Sequence, residues 1–211
     1  MTKRSDRAIV DAYRIAKTEP PMDCASPPPA ALPGTERLSL RHAARRDAPA
    51  LLAYYLANRA HLEPWAPSRP ESFYTLPSIE TRLDAMATQA AAGQAVHLLL
   101  YEKAGDRLIG ECSLTNIVRG PFQACHLGFS IASDREGRGL MRECLIEVIR
   151  YAFGPLGLHR LMANHRPENT RSARLLEALG FEREGIARAY LKIDGAWADH
   201  VLRSLINPAD A

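Results

Sequence analysis

At 211 residues, 46% apolar and 24% charged, the chain is long enough for one domain with a full core and short for two. A formal net charge of +3 is too small to hold a nucleic acid by charge, and no apolar run is long enough to span a membrane. The cysteines, Cys24, Cys112, Cys125 and Cys144, form no C-x-x-C and no zinc-type spacing. They read as free thiols in a reducing compartment, three of them buried in apolar runs. With no signal-peptide core at the N-terminus, the expected location is the cytoplasm.

Residues 1–18 carry mixed charge and fix no element. Residues 19–34, E-P-P-M-D-C-A-S-P-P-P-A-A-L-P-G, hold prolines too densely for a helix or a central strand. A proline-rich, disordered leader over residues 1–34 and a globular domain over residues 35–208 are therefore expected. From Thr35, E-R-L-S-L-R-H alternates like a half-buried strand. Asp47 is placed to cap a helix through Leu51, Leu52, Tyr55 and Leu56. N-R-A-H-L-E-P-W-A-P-S-R-P reads as a loop, and Ser78 as the cap of a second helix that Gly93 ends.

Three strands follow over residues 96–102, 108–118 and 123–131, joined by A-G-D and R-G-P turns. A helix comes next, then a strand over residues 158–165. Pro167, Asn169 and Thr170 start a further helix with Leu175, Leu176 and Leu179 inward and Gly180 at its end. The chain closes with a hairpin over residues 182–193 and 197–205, turning at Asp194-Gly195. The order β-α-α-β-β-β-α-β-α-β-β describes an α/β (α+β) domain, a mixed sheet covered by helices.

One stretch stands out. The apolar run over residues 126–131 reads as a strand, a loop with Gly137-Arg138-Gly139 follows, and Leu140, Met141, Cys144, Leu145, Val148, Ile149 and Ala152 recur on one helix face. Strand, G-R-G and helix N-terminus together suit an anion. First-turn N–H groups point into the loop, the helix dipole favours negative charge, and Arg135 and Arg138 add countercharge. Arg142 and Arg150 read as a solvated face. The third glycine of a dinucleotide fingerprint is replaced by Arg142, and no G-K-[ST] occurs, so neither a Rossmann site nor a P-loop is present.

The R-E-G-R-G-L-M loop, the later P-E-N-x-x-S and L-G-F, and this element order resemble the GNAT superfamily of N-acetyltransferases. Within it, N-R-A-H-L-E-P-W, H-R-L-M-A-N-H-R-P-E-N-T-R-S and Y-L-K-I-D-G-A-W resemble the RimJ-like ribosomal-protein-alanine N-acetyltransferases. The resemblance covers residues 35–208. It implies the GNAT fold and direct transfer of an acetyl group from acetyl-CoA to a primary amine. It assigns the cofactor to Ile131, Arg135, Gly137, Arg138, Gly139, Leu140 and Met141, with Asn169 and Ser172 on the next helix. Asp134 departs from the Gln or Arg usual there, which leaves the loop amides of residues 135–139 to hold the pyrophosphate.

His126 stands where many relatives carry a strand glutamate and is the candidate general base, with Glu111 on the neighbouring strand as the second. The plain alternative for His126 is a packed strand histidine. Asn164 occupies another base position and would hold a water. Leu176 replaces an acid tyrosine, so Ser172 is expected to protonate the thiolate. Asn169 and Ser172 would otherwise simply cap their helix. Trp65, Tyr190, Trp197 and His200 are the expected acceptor contacts, or else core residues. His159 and His165 lack a third ligand, so no metal is expected.

The expected acceptor is a protein N-terminal α-amine, on Ala or Ser of a ribosomal protein. The alternatives are a small amine (antibiotic, peptide toxin or polyamine) and a non-catalytic acetyl-CoA-binding module. No direct nucleic-acid or membrane contact is expected, and the chain is read as a monomer or homodimer.

Overall fold

The structure, a computed structural model, describes residues 34–210. Residues 1–33 of the expected leader, Cys24 among them, lie outside the described residues. Seven strands form one sheet in the order β1-β2-β3-β4-β5-β7-β6. They are β1 (Leu38–His42), β2 (Val96–Glu102), β3 (Leu108–Val118), β4 (Ala124–Ile131), β5 (Arg160–His165), β6 (Glu182–Ile193) and β7 (Ala196–Ile206). The helices are α1 (Ala48–Ala57), α2 (Arg59–Leu62), α3 (Leu76–Ala91), α4 (Leu140–Phe153) and α5 (Thr170–Ala178).

Every neighbouring pair of strands is antiparallel except β4 and β5. These two run parallel and stay paired at three positions only, Ala124–Arg160, Cys125–Leu161 and His126–Met162. Beyond His126 they separate. Residues 127–131 of β4 therefore keep their partners on β3 and present a bare backbone edge towards β5.

The sheet has a core on each face. Leu140, Cys144, Leu145, Val148 and Ile149 of α4, the stripe read from the sequence, pack on Leu98, Leu114, Cys125 and Leu127. Tyr55 and Leu51 of α1 and Ile79 and Leu83 of α3 pack on Leu99 and Leu108 across the other face. Cys112, Cys125 and Cys144 are buried free thiols. Burial pushes the Cys125 thiol up to about 12, far from a nucleophile's range.

The sequence misreads several boundaries. Asp47 precedes α1 but does not cap it. Its buried carboxylate accepts from the Ala44 amide at 3.0 Å and the Tyr101 hydroxyl at 2.9 Å. α3 starts at Leu76 rather than at Ser78, because Pro77 in the first turn has the right φ already and lacks the N–H that a cap would satisfy. The expected loop after α1 contains α2 and a 3-10 turn, Glu63–Trp65, and a second 3-10 turn, Glu71–Tyr74, follows it, with prolines at the starts of both turns. β5 starts at Arg160, so His159 lies before the strand, against Asp210 at 3.1 Å.

Candidate active site

A cleft of about 610 Å³ opens where β4 leaves β5. Phe129, Ser130 and Ile131 form one wall, the loop and first turn of α4 the floor, and the start of α5 the other wall, with Trp65 and His61 at the rim. Gly137 and Gly139 have φ of 70° and 73°, a conformation that costs other residues about 1–2 kcal/mol. Gly139 is the N-cap residue of α4, and no side chain caps the helix. Its first-turn amides are therefore open to an anion from the cleft. A Cβ at Gly137 would meet nothing within 4 Å, and one at Gly139 only Arg37 at 3.7 Å.

Arg37, just before β1, fixes this loop. Its guanidinium donates to the Arg138 carbonyl at 3.0 Å and to Glu143 of α4 at 2.7 Å. Arg135 lines the cleft, held by Glu102 at 2.7 Å and Asp134 at 2.7 Å. Asp134 faces Arg107 as well, whose hydrogen bond keeps its carboxyl below the usual range. Arg142, Arg171 and Arg174 also line the cleft, and Arg171 pairs with Glu136. Asn169 does cap α5: its Oδ1 accepts from the Ser172 amide at 3.0 Å. The cap engages only that oxygen, so its amide N–H groups and the Ser172 hydroxyl remain for the cleft that both residues line.

Cross-strand register places Glu111 opposite Ser130, Ser113 opposite Gly128 and Thr115 opposite His126. These residues share the sheet face opposite α4. There Glu111 accepts from the Tyr55 hydroxyl on both oxygens, at 2.7 and 2.8 Å, and pairs with Arg82 at 3.5 Å. The Tyr54 hydroxyl and Ser130 Oγ lie 2.9 Å apart. Burial pushes both tyrosines far above the ordinary phenol range. His126 is partly buried, its Nδ1 has no hydrogen-bond partner, and burial lowers its pKa. Asn164 on β5 donates to the Tyr190 hydroxyl at 3.1 Å, and the Tyr190 ring lies 5.6 Å from that of His200.

The sequence-derived residues thus fall into three groups. Ile131, Arg135, Gly137, Gly139, Leu140, Met141, Asn169, Ser172 and Trp65 line one cleft, while Arg138 contributes its carbonyl to the loop's support. His126 and Glu111 lie on the neighbouring strands facing away from α4, outside the cleft lining. Tyr190, Trp197 and His200 belong to the β6–β7 hairpin: Trp197 is exposed and His200 buried. Sequence reasoning missed Arg37, Tyr55, Arg82, Arg171 and Arg174. Only the last two left a signal, arginines three apart behind a helix-capping Asn.

Comparison with known proteins bears on this geometry directly. The profile of the acetyltransferase (GNAT) domain family matches residues 37–182. The chain is 44% identical over 174 residues to the [ribosomal protein uS5]-alanine N-acetyltransferase of Escherichia coli, spanning 82% of this chain and 90% of that protein. The crystal structure of the ribosomal-protein-S5-alanine acetyltransferase from Vibrio fischeri superposes with a TM-score of 0.78 at 39% identity, over 82% of this chain and 94% of that one. Mycobacterium smegmatis RimJ in complex with CoA-disulfide gives 0.77 at 30% identity, covering 80% and 81%. The matched profile takes in β4, the glycine loop, α4 and α5, all the walls of the cleft. The chain therefore belongs to the GNAT acetyltransferases and is an N-acetyltransferase.

Proposed function

We propose that this enzyme acetylates the α-amine of a protein N-terminus, that of Ala or Ser on a ribosomal protein, with acetyl-CoA as donor. The 44% identity to a ribosomal-protein-alanine N-acetyltransferase over 82% of the chain carries this reading. An acceptor of that kind puts the enzyme in the cytoplasm. The described residues fit the donor. An uncapped helix N-terminus with arginines beside it suits a pyrophosphate, and the bare edge of β4 suits an amide-bearing arm.

Acetyl-CoA supplies a thioester whose carbonyl carbon is the electrophile. Residues 127–131 of β4 offer backbone N–H groups along the edge released from β5, and one of these donates to the carbonyl oxygen as it gains charge. His126, neutral at cytoplasmic pH because burial lowers its pKa, takes the proton from the acceptor amine. Ser172 donates a proton to the departing sulfur and regains one from solvent. Glu111, already engaged by Tyr55 and Arg82, acts as a fixed negative charge that favours the incoming ammonium, whose first proton goes to His126 to free the nucleophile and whose second leaves to solvent once the C–N bond has formed.

Intact-mass measurement of ribosomal proteins from cells with and without this enzyme tests the proposal. One protein should lose the mass of a single acetyl group at its N-terminus and regain it on re-expression. Unchanged ribosomal masses, with a small amine acetylated instead, would overturn it.

A further inference from the structure

Arg69 lies in the segment between α2 and α3, four residues beyond Trp65 at the cleft rim. Its guanidinium lies over two rings, 4.6 Å from the centroid of Tyr55 and 4.7 Å from that of Phe73. Those rings meet edge to face at 5.2 Å, and the arginine lies close to both. Arg82 touches the same two rings from 5.2 and 5.8 Å, but its charge is answered by Glu111 at 3.5 Å. The Glu111 carboxylate is also held by Tyr55. Among the described residues, no carboxylate answers Arg69. Every other partly buried arginine among them has a hydrogen bond or a carboxylate partner, and Arg69 has neither.

This uncompensated charge sits close to the reaction. Tyr55 reaches Glu111, which lies directly across the ladder from Ser130, a residue of the cleft wall. The Tyr54 hydroxyl touches Ser130 and feels the Arg69 charge, although burial dominates its acidity. A guanidinium held against two aromatic rings keeps N–H groups for an outside acceptor and loses little conformational freedom when one arrives. A planar carboxylate is the partner that such a fork fits best.

We propose that Arg69 is a specificity-determining residue that binds a side-chain carboxylate near the N-terminus of the acceptor peptide. The inference rests on the N-terminal reading of the acceptor given above. Glu111 then faces the α-amine and Arg69 an acidic residue a few positions further on, so the two opposite charges orient the peptide.

The test uses the full chain, acetyl-CoA and a set of Ala-first hexapeptides. One carries Gln at positions 2 to 5, and the others replace a single Gln by Glu. The unaltered enzyme should favour at least one Glu peptide by on the order of tenfold in kcat/KM. In Arg69→Gln this preference should fall close to one, with the loss in KM rather than kcat, and Arg69→Lys should restore part of it. Thermal melting and acetyl-CoA titration of both variants report whether the fold and the donor site are intact. Equal losses on Glu and Gln peptides, or no Glu preference in the unaltered enzyme, would overturn the role of Arg69. Failure of the unaltered enzyme on every peptide would instead overturn the N-terminal reading, and this inference with it.

Discussion

At His126 two observations meet: a buried ring nitrogen without a partner, and a pKa lowered by burial. Leaving a buried polar atom unpaired costs about 1–3 kcal/mol, and an acceptor amine arriving at the ring would recover part of it. The lowered pKa fixes the sign of the pH dependence. A base works when neutral, so the acid limb that His126 sets in kcat, at saturating peptide, should lie below the ordinary imidazole value of about 6.5, while kcat/KM also follows the free acceptor α-amine, which titrates at about 8. His126→Ala should remove that acid limb and lower kcat by on the order of 100-fold or more, with the acetyl-CoA dissociation constant little altered. Steady-state rates from pH 5 to 9, beside calorimetric titration of acetyl-CoA, read both. An unchanged acid limb in the variant would assign it to another group.

Between elements, the decisive contact is the one Arg37 makes from the start of β1 to α4. It bonds Glu143 and the Arg138 carbonyl, and its own backbone amide donates to Glu143 at 2.9 Å. Since its side chain is about half exposed, the ion pair stabilises the fold by about 1 kcal/mol at most. Its larger effect should be on loop geometry. Arg37→Ala is expected to weaken acetyl-CoA binding several-fold while thermal stability drops by a few degrees at most, and Arg37→Lys to recover little, for want of a two-pronged donor. Calorimetry and thermal melting separate the two effects.

No sequence pattern announces this contact, because its partners lie 106 residues apart. What was legible was local. The apolar stripe of α4, the Asp194-Gly195 turn with both residues at positive φ, and the Asn169 cap each arise within a few residues. Asp47 shows the opposite case: a good capping residue by neighbourhood, drawn away by a tyrosine 54 residues distant. The glycine loop was readable as an anion site, whereas the arginines that complete it came from β1 and α5.

As a whole, the molecule is two cores back to back on one sheet, split at the point where β4 and β5 part. The profile shared by the family ends at residue 182, where β6 begins. The donor side therefore lies within the shared part, and the β6–β7 hairpin with Tyr190 and Trp197 lies beyond it. The other end of the chain is tied down just where the described residues begin. Thr35 is buried, its amide donates to the Leu38 carbonyl at 2.9 Å, and its hydroxyl oxygen accepts from the Leu38 amide at 3.0 Å. Lys103 reaches the Thr35 carbonyl as well. We propose that the folding unit starts here, so removal of residues 1–33 should leave melting temperature and acetyl transfer intact. Removal through Glu36 deletes these three bonds, and the loss of about 1.5–4 kcal/mol should lower the melting temperature by at least several degrees. Because Thr35 is followed two residues later by Arg37, the longer deletion should also loosen the glycine loop and weaken acetyl-CoA binding. Loss of folding or activity in the shorter deletion would show that the preceding segment belongs to the domain.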